Sequence, residues 1–301
     1  MVTKRAASRK KTLSSPEGLA EARDYFKDKD RLLSPPIMRA AYSDRMAWIL
    51  SSMSHLAYDR FEDNEKAREL LIAKLEGGGF KLIETFNSKE TDTQAFLAAN
   101  DEFAVLAFRG TEVTKRQDVK TDAGAIKISV LEGRVHVGFN RAYESVAKNI
   151  EASILSVAEI PLYITGHSLG AALATIATQR LEHKPKFRNR IAACYTFGSP
   201  RVGNDQYEKD SKSPIYRMVN TTDIVTVIPL LVMGYIHIGD VRFLGRRDGD
   251  FSRRIPVLQR LFLFIAATVR LFGPWVGDHA IIEYRRKLEA IAEKRNPRFG
   301  H

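Results

Sequence analysis

The sequence predicts an α/β fold with a mostly parallel central sheet and helices on both faces. Three observations carry that expectation. Short strand-like runs alternate with amphipathic helical stretches along most of the 301 residues. One strand-like run, "LYIT", passes through Gly-His-Ser-Leu-Gly into an alanine-rich helical pattern. Hydrophobic residues make up 44% of the chain, enough for one large core or two modest ones.

Residues 1–35 read as a basic leader without fixed structure, closed by Ser34, Pro35 and Pro36. Residues 36–301 read as one α/β domain. Met46, Ile49, Leu50, Met53, Leu56 and Ala57 recur at three and four residues and predict a helix from Asp44 to Tyr58. "NEKARELLIAKLEGGG" predicts a second helix, stopped by Gly77, Gly78 and Gly79. "FKLIETF", "TQAFLAA" and "FAVLAFRG" predict strands. Phe139, Tyr143, Val146, Ile150 and Ile154 share one helical face between Phe139 and Val157. Strand "LYIT", helix "SLGAALATIATQRL" and strands "IAACYTF" and "IYRMVN" follow, and "GYIHIGD" reads as a further strand. A last helix runs from about His279 to Glu293.

Cys194 is the only cysteine, so no intramolecular disulfide forms. In the strand-like run "IAACYTFG" it reads as a small buried hydrophobe. No stretch of about 20 apolar residues predicts a spanning helix. The basic N-terminus lacks the apolar core of a secretory signal. Together these favour an intracellular protein, cytoplasmic or peripheral to a membrane, with organellar targeting by the basic N-terminus as the alternative.

The formal net charge is +11. Basic residues concentrate in the leader (Lys4, Arg5, Arg9, Lys10, Lys11), between Arg242 and Arg270, and in the last helix. No zinc-finger spacing, RNP-like stretch or phosphate loop accompanies them, so no nucleic acid is expected. Nor is any metal or cofactor implied. Residues 242–276 form a basic, apolar insert. Its nine residues between Arg260 and Arg270 are too few to span a bilayer. A buried helix and an element that contacts an anionic membrane surface are the two readings.

Gly166-His167-Ser168-Leu169-Gly170 fits G-x-S-x-G between a strand and a helix. There the serine hydroxyl is lifted from the sheet, and the Leu169 N–H faces the same space. An ordinary glycine-softened turn with a serine N-cap explains Ser168 but not two flanking glycines. A serine nucleophile needs a base, and the base needs an orienting acid. The order serine, acid, histidine restricts the search to residues after Ser168. Asp205, Asp210, Asp223, Asp240, Asp248, Asp250 and Asp278 are the aspartates weighed. Asp223 follows "IYRMVNTT" at the carboxyl end of a strand, where sites of open α/β sheets collect. His183 ends the helix begun by Ser168, and His301 is the terminus. His279 can be presented by a loop. Ser168, Asp223 and His279 are therefore the expected triad, with His237 as the reserve base.

The stretches "FAVLAFRGT", "VHVGFNRAYESV", "ITGHSLGAALATIA", "YTFGSPRVGN", "YRMVNTTDIVTVIP" and "DHAIIEYRRKLE" span about Tyr42 to Leu288. In that order they resemble the class 3 lipases, the family of fungal triacylglycerol lipases and their plant and bacterial relatives. The resemblance implies the α/β-hydrolase fold and the same triad. It adds an oxyanion hole from the backbone N–H groups of Thr111 and Leu169. His136 matches a family position and reads as structural. The implied function is a serine carboxyl-ester hydrolase on lipid esters, of triacylglycerol lipase or phospholipase/galactolipase type. A lipid-surface binding or signalling protein without turnover, and an acyltransferase or peptidase on the same scaffold, are the alternatives. Two departures stand out: no disulfide can form, and Val119 follows Asp118 where many members carry tryptophan beside an aspartate. The very polar start of that stretch argues against an apolar lid.

Overall fold

The computed structural model describes residues 15–30, 32–35, 41–110, 126–220, 223–227, 229, 233–245, 249–252 and 280–296. Its helices are α1 (Pro16–Arg23), α2 (Asp44–Leu56), α3 (Glu65–Gly77), α4 (Val137–Ser156), α5 (Leu169–Glu182), α6 (Pro185–Arg188), α7 (Asp205–Lys209) and α8 (Ile281–Arg295). The strands are β1 (Lys81–Ser88), β2 (Thr93–Ala99), β3 (Ala104–Phe108), β4 (Lys127–Val130), β5 (Gly133–His136), β6 (Leu162–His167), β7 (Ile191–Phe197), β8 (Ile215–Asn220), β9 (Asp240–Leu244) and β10 (Phe251–Ser252).

Eight strands form one sheet in the order β1-β2-β3-β6-β7-β8-β9-β10. β3, β6, β7, β8 and β9 run parallel, and antiparallel strands close both edges. The centre is parallel because α4, α5 and the segment after β7 return the chain to the same sheet end each time. Alternation along β7 shows both faces covered. Tyr195 and Phe197 pack with α2 and α8, while Cys194 packs with α4 and α5. Burial pushes the Cys194 thiol up to about 12, as suits an inert core residue. Ser43 and Asn64 start α2 and α3 by accepting the N–H groups of Met46 and Ala67.

Three expectations change. The leader is not loose throughout. Ser15 caps α1, Pro16 opens it, and the chain then buries Phe26 and Leu32 in the core shared by α2, α3 and α8. Phe26 meets Trp48 edge-on at 5.8 Å. Apolar residues are sparse before residue 26, so the sequence pattern carries no sign of this docking. The stretch "GYIHIGD" is not a strand before Asp240: Ile236 makes one bridge, to Gly203, and the chain joins the sheet only at β9. The insert expected at 242–276 begins inside the sheet, since Arg242, Phe243 and Leu244 belong to β9. Arg242 pairs with Asp240 at 2.6 Å and lies over the Tyr42 ring. The rest of that segment, apart from residues 245 and 249–252, lies outside the described residues.

Replacing Phe26 with alanine should destabilise the whole domain, because its ring fills space between Trp48 and Gly78. A cost of about 3–5 kcal/mol is expected. Urea unfolding followed by circular dichroism measures it. A loss below about 1 kcal/mol would mean that the N-terminal segment is a dispensable appendage.

Candidate active site

Ser168 lies between β6 and α5 with φ 58° and ψ −128°. A non-glycine residue avoids that region, so the turn has to be held from outside. Its N–H donates to the Phe197 carbonyl at 3.0 Å, tying it to the end of β7. Its side chain does not cap α5, which removes the N-cap reading. The glycines have steric reasons. A Cβ on Gly166 would run into the Gly170 backbone, and one on Gly170 would strike the backbone of Phe108 and Arg109. Helix and strands therefore approach more closely here than side chains allow. Leu169 is the first residue of α5, where helix N–H groups lack intrahelical partners and the dipole is positive.

The "FRG" turn closes against this serine. A Cβ on Gly110 would lie 3.0 Å from the Ser168 Cβ and would overlap the Tyr58 hydroxyl and the His167 carbonyl. Arg109 fixes the turn from behind. Its guanidinium grips both carboxylate oxygens of Glu62, and its Nε donates to Gln94 at 3.1 Å. Both partners are largely buried, so this is a strong, bidentate pair. Thr111, the next residue, lies outside the described residues. The His167 ring meets the Tyr58 hydroxyl through Nδ1 at 2.8 Å.

Asp223 sits just beyond the carboxyl end of β8, two strands from Ser168, and is buried. Its Oδ1 accepts the Val225 N–H at 2.9 Å. Its Oδ2 accepts the Tyr284 hydroxyl at 2.6 Å. That hydroxyl in turn accepts the Asn220 N–H at 2.9 Å. Asn220 Oδ1 accepts the buried Lys287 ammonium at 2.8 Å. The end of β8 is thus bolted to α8 at two points. The Tyr284 ring also lies 5.9 Å from the His167 ring, so one aromatic side chain bridges the acid and the serine turn. Burial and the adjacent Asp223 carboxylate push the Tyr284 hydroxyl well above the ordinary tyrosine range. It therefore stays a donor at any working pH.

The other aspartates are engaged elsewhere. Asp205 pairs with Lys209, Asp210 with His183, Asp240 with Arg242 and Asp250 with Lys294. Asp248 and Asp278 lie outside the described residues. His183 caps the far end of α5, about 20 Å from Ser168 at 1.5 Å per residue. His136 caps α4 through the Gly138 N–H and stacks on Phe139, a structural role. His237 is not on a strand. Burial, with the Arg217 and Arg201 guanidiniums next, pushes it down to about 2. His279 lies outside the described residues, and α8 begins two residues after it in sequence.

The residue that the sequence left unassigned is Tyr284. It falls on the apolar face of α8 with Ile281, Leu288 and Ile291, so its period marks it as core. Only the fold shows what its hydroxyl meets.

The profile of the Lipase (class 3) family matches residues 105–233. A lipase of Rhizopus niveus is 30% identical over 171 residues, covering 53% of this chain and 43% of that protein. "Secreted mono- and diacylglycerol lipase 1" of Fusarium solani is 37% identical over 127 residues, covering 39% of this chain and 37% of that protein. The chain thus matches less than half the length of these two curated relatives. Among solved structures, a triacylglycerol lipase described as having a serine-protease triad at its centre superposes with a TM-score of 0.60. That likeness covers 80% of this chain and 95% of the other at 23% identity, which establishes the fold.

The Tyr284 brace is testable on its own. Tyr284→Phe keeps the ring but deletes the donor to Asp223 and the acceptor for Asn220. Hydrogen bonds to charged groups contribute about 1.5–3 kcal/mol. Urea unfolding should show a loss in that range. A phenylalanine variant as stable as the parent would mean that the hydroxyl does not hold the acid.

Proposed function

We propose that the chain is a class 3 lipase, a serine carboxyl-ester hydrolase acting on lipid esters, a reading that the family profile over residues 105–233 supports. The observation that carries the reading is the Ser168 turn, in a torsion that only surrounding contacts can maintain, with a buried aspartate two strands away on the same sheet end. Ser168 Oγ attacks the ester carbonyl and His279 takes its proton. Asp223 holds the imidazole in the required tautomer. The N–H groups of Leu169 and Thr111 receive the oxyanion, and the alcohol leaves with a proton from His279. Water activated by the same imidazole then hydrolyses the acyl-enzyme.

His279 is favoured over His237 on electrostatic grounds. A base must hold the serine proton while the tetrahedral intermediate forms. His237 faces two guanidiniums from a buried position and sits near 2, so it is a poor proton acceptor at neutral pH. The relatives named as triacylglycerol or mono- and diacylglycerol lipases point to neutral glycerides as the first substrates to assay.

Ser168→Ala should fold and lose ester hydrolysis by on the order of 10⁴-fold or more. A fluorophosphonate should label the parent and not the variant. His279→Ala should lose as much, with the double variant no worse, because the two act as a unit. His237→Ala should keep most activity if it folds. Assays on mono-, di- and triacylglycerols and on phospholipids, with Ser168→Ala as blank, read both points. Undiminished activity in Ser168→Ala sinks the hydrolase reading, and loss confined to His237→Ala moves the base.

A further inference from the structure

α8 carries five basic residues, and Lys287 alone among them is buried, at 7% exposed. Arg286 and Lys294 lie at the surface and pair with Glu283 and Asp250. Lys287 stands instead on the apolar face, with Ile281, Tyr284, Leu288 and Ile291. A buried ammonium costs free energy unless it is hydrogen-bonded and charge-compensated. Both conditions are met here. Nζ donates to Asn220 Oδ1 at 2.8 Å and lies 3.7 Å from the Glu283 carboxylate. Glu283 is held more closely by Arg286, at 2.7 Å, so the shorter contact of Lys287 is the one to Asn220.

Asn220 ends β8, three residues before the acid. Its carbonyl accepts the Asp223 N–H at 3.0 Å, so the backbone of the acid is tied directly to it. Its own N–H donates to the Tyr284 hydroxyl at 2.9 Å, and that hydroxyl donates to Asp223 Oδ2 at 2.6 Å. Tyr284 and Lys287 are three residues apart and therefore neighbours on one face of α8. One meets the backbone of Asn220 and the other its side chain. An ammonium has three donors and no acceptor, so the amide oxygen has to face it. The bond draws the end of β8 onto α8 and keeps the Tyr284 hydroxyl within reach of both Asn220 and Asp223.

We propose that Lys287 is a positioning residue for the acid: its ammonium clamps Asn220 to α8, and through Asn220 it sets the place of the Asp223 carboxylate. The proposal rests on the reading of Ser168, His279 and Asp223 as a triad. Lys287 acts through Asn220 and not on the substrate. A triad tolerates little displacement, since a shift of about 1 Å caused far from the chemistry costs about 10²-fold in rate. Methionine keeps the length and most of the volume of Lys287 and removes the donor. Asn220 Oδ1 then loses a partner, while the burial cost of the ammonium disappears, and the two changes oppose each other in stability. The rate should fall without a matching fall in stability.

The test is hydrolysis of a short soluble ester by Lys287→Met, with Ser168→Ala as blank. We expect kcat to fall about 10–100-fold with KM within about twofold of the parent, and Tm within about 3 °C. A lower Tm with unchanged kcat marks a merely structural lysine and overturns the proposal. Asn220→Ala should lower kcat as much, with the double variant no worse than either single one, because the two residues act as a unit. Losses that multiply overturn the route through Asn220. Should Lys287→Met fail to fold, Asn220→Ala decides, and full kcat in that variant overturns the clamp. Amide exchange followed by NMR needs no activity and so separates the clamp from the triad. The Asp223 and Val225 N–H groups donate to the Asn220 carbonyl and to Asp223 Oδ1. In Lys287→Met they should exchange about tenfold faster, with the amides of β6 and β7 unchanged. Unchanged exchange at both overturns the proposal whatever the parent hydrolyses. Faster exchange in a protein whose parent shows no Ser168-dependent hydrolysis supports the clamp and removes the triad.

Discussion

Ser168 holds φ 58°, a torsion that costs a non-glycine residue about 1–3 kcal/mol and survives only where its neighbours over-determine it. The neighbours here are backbone rather than side chain. β3 and α5 close on each other at Gly170, α5 closes on β6 at Gly166, and the turn after β3 closes on the serine at Gly110. A single methyl at any of these three points forces main chain apart, which packed interiors cannot absorb cheaply. The spacing of the sheet centre is therefore set by what the serine turn needs. The Phe197 carbonyl completes the constraint by taking the serine N–H from β7.

The acid is held by a different part of the chain. Tyr284 and Lys287 reach β8 from α8, more than 60 residues later in sequence. α8 itself is pinned to α2 and to the N-terminal segment. Trp48 Nε1 donates to Glu289, Arg285 reaches Ser52 and the Tyr25 carbonyl, and Lys29 pairs with Glu289 and Glu293 at 2.7 Å each. The line of force runs from the first described helix, through Lys29 and Tyr25, to the helix that fixes Asp223. This gives the N-terminal segment a physical purpose: it fixes α8, and α8 positions the acid. Serine and acid are thus located by two sets of contacts that meet at the Tyr284 ring, against His167.

What the sequence discloses follows from how local each cause is. The serine turn is legible because Gly166 is forced by the Gly170 backbone four residues on, and because strand, turn and helix patterns flank it. Asp223 is legible from its place after a strand of recognisable composition. Tyr284 is not, since an amphipathic helix assigns every apolar-face residue to the core and says nothing about where a hydroxyl lands. The docking of residues 15–35 is hidden for a similar reason: two anchors, Phe26 and Leu32, make no period. "GYIHIGD" misleads in the opposite direction. Its apolar residues alternate as a strand's do, but Gly239 at φ 95° turns the chain before pairing begins, and only Ile236 makes a bridge.

Two buried arginines in one protein show how unequal such positions are. Arg109 and Arg217 are equally buried, each 8% exposed. Arg109 is matched in full, with Glu62 gripping its fork and Gln94 meeting its Nε. That is the arrangement a buried guanidinium needs when the chain supplies the partner. Arg217 has a guanidinium neighbour, an unbonded threonine hydroxyl and an imidazole held near neutrality. Hydrophobic replacement would suit that position better if packing were its only duty. Arg217 is therefore the costlier of the two positions, and the lowering of its pKa to about 10 by burial and by the Arg201 guanidinium is the electrostatic sign of that cost.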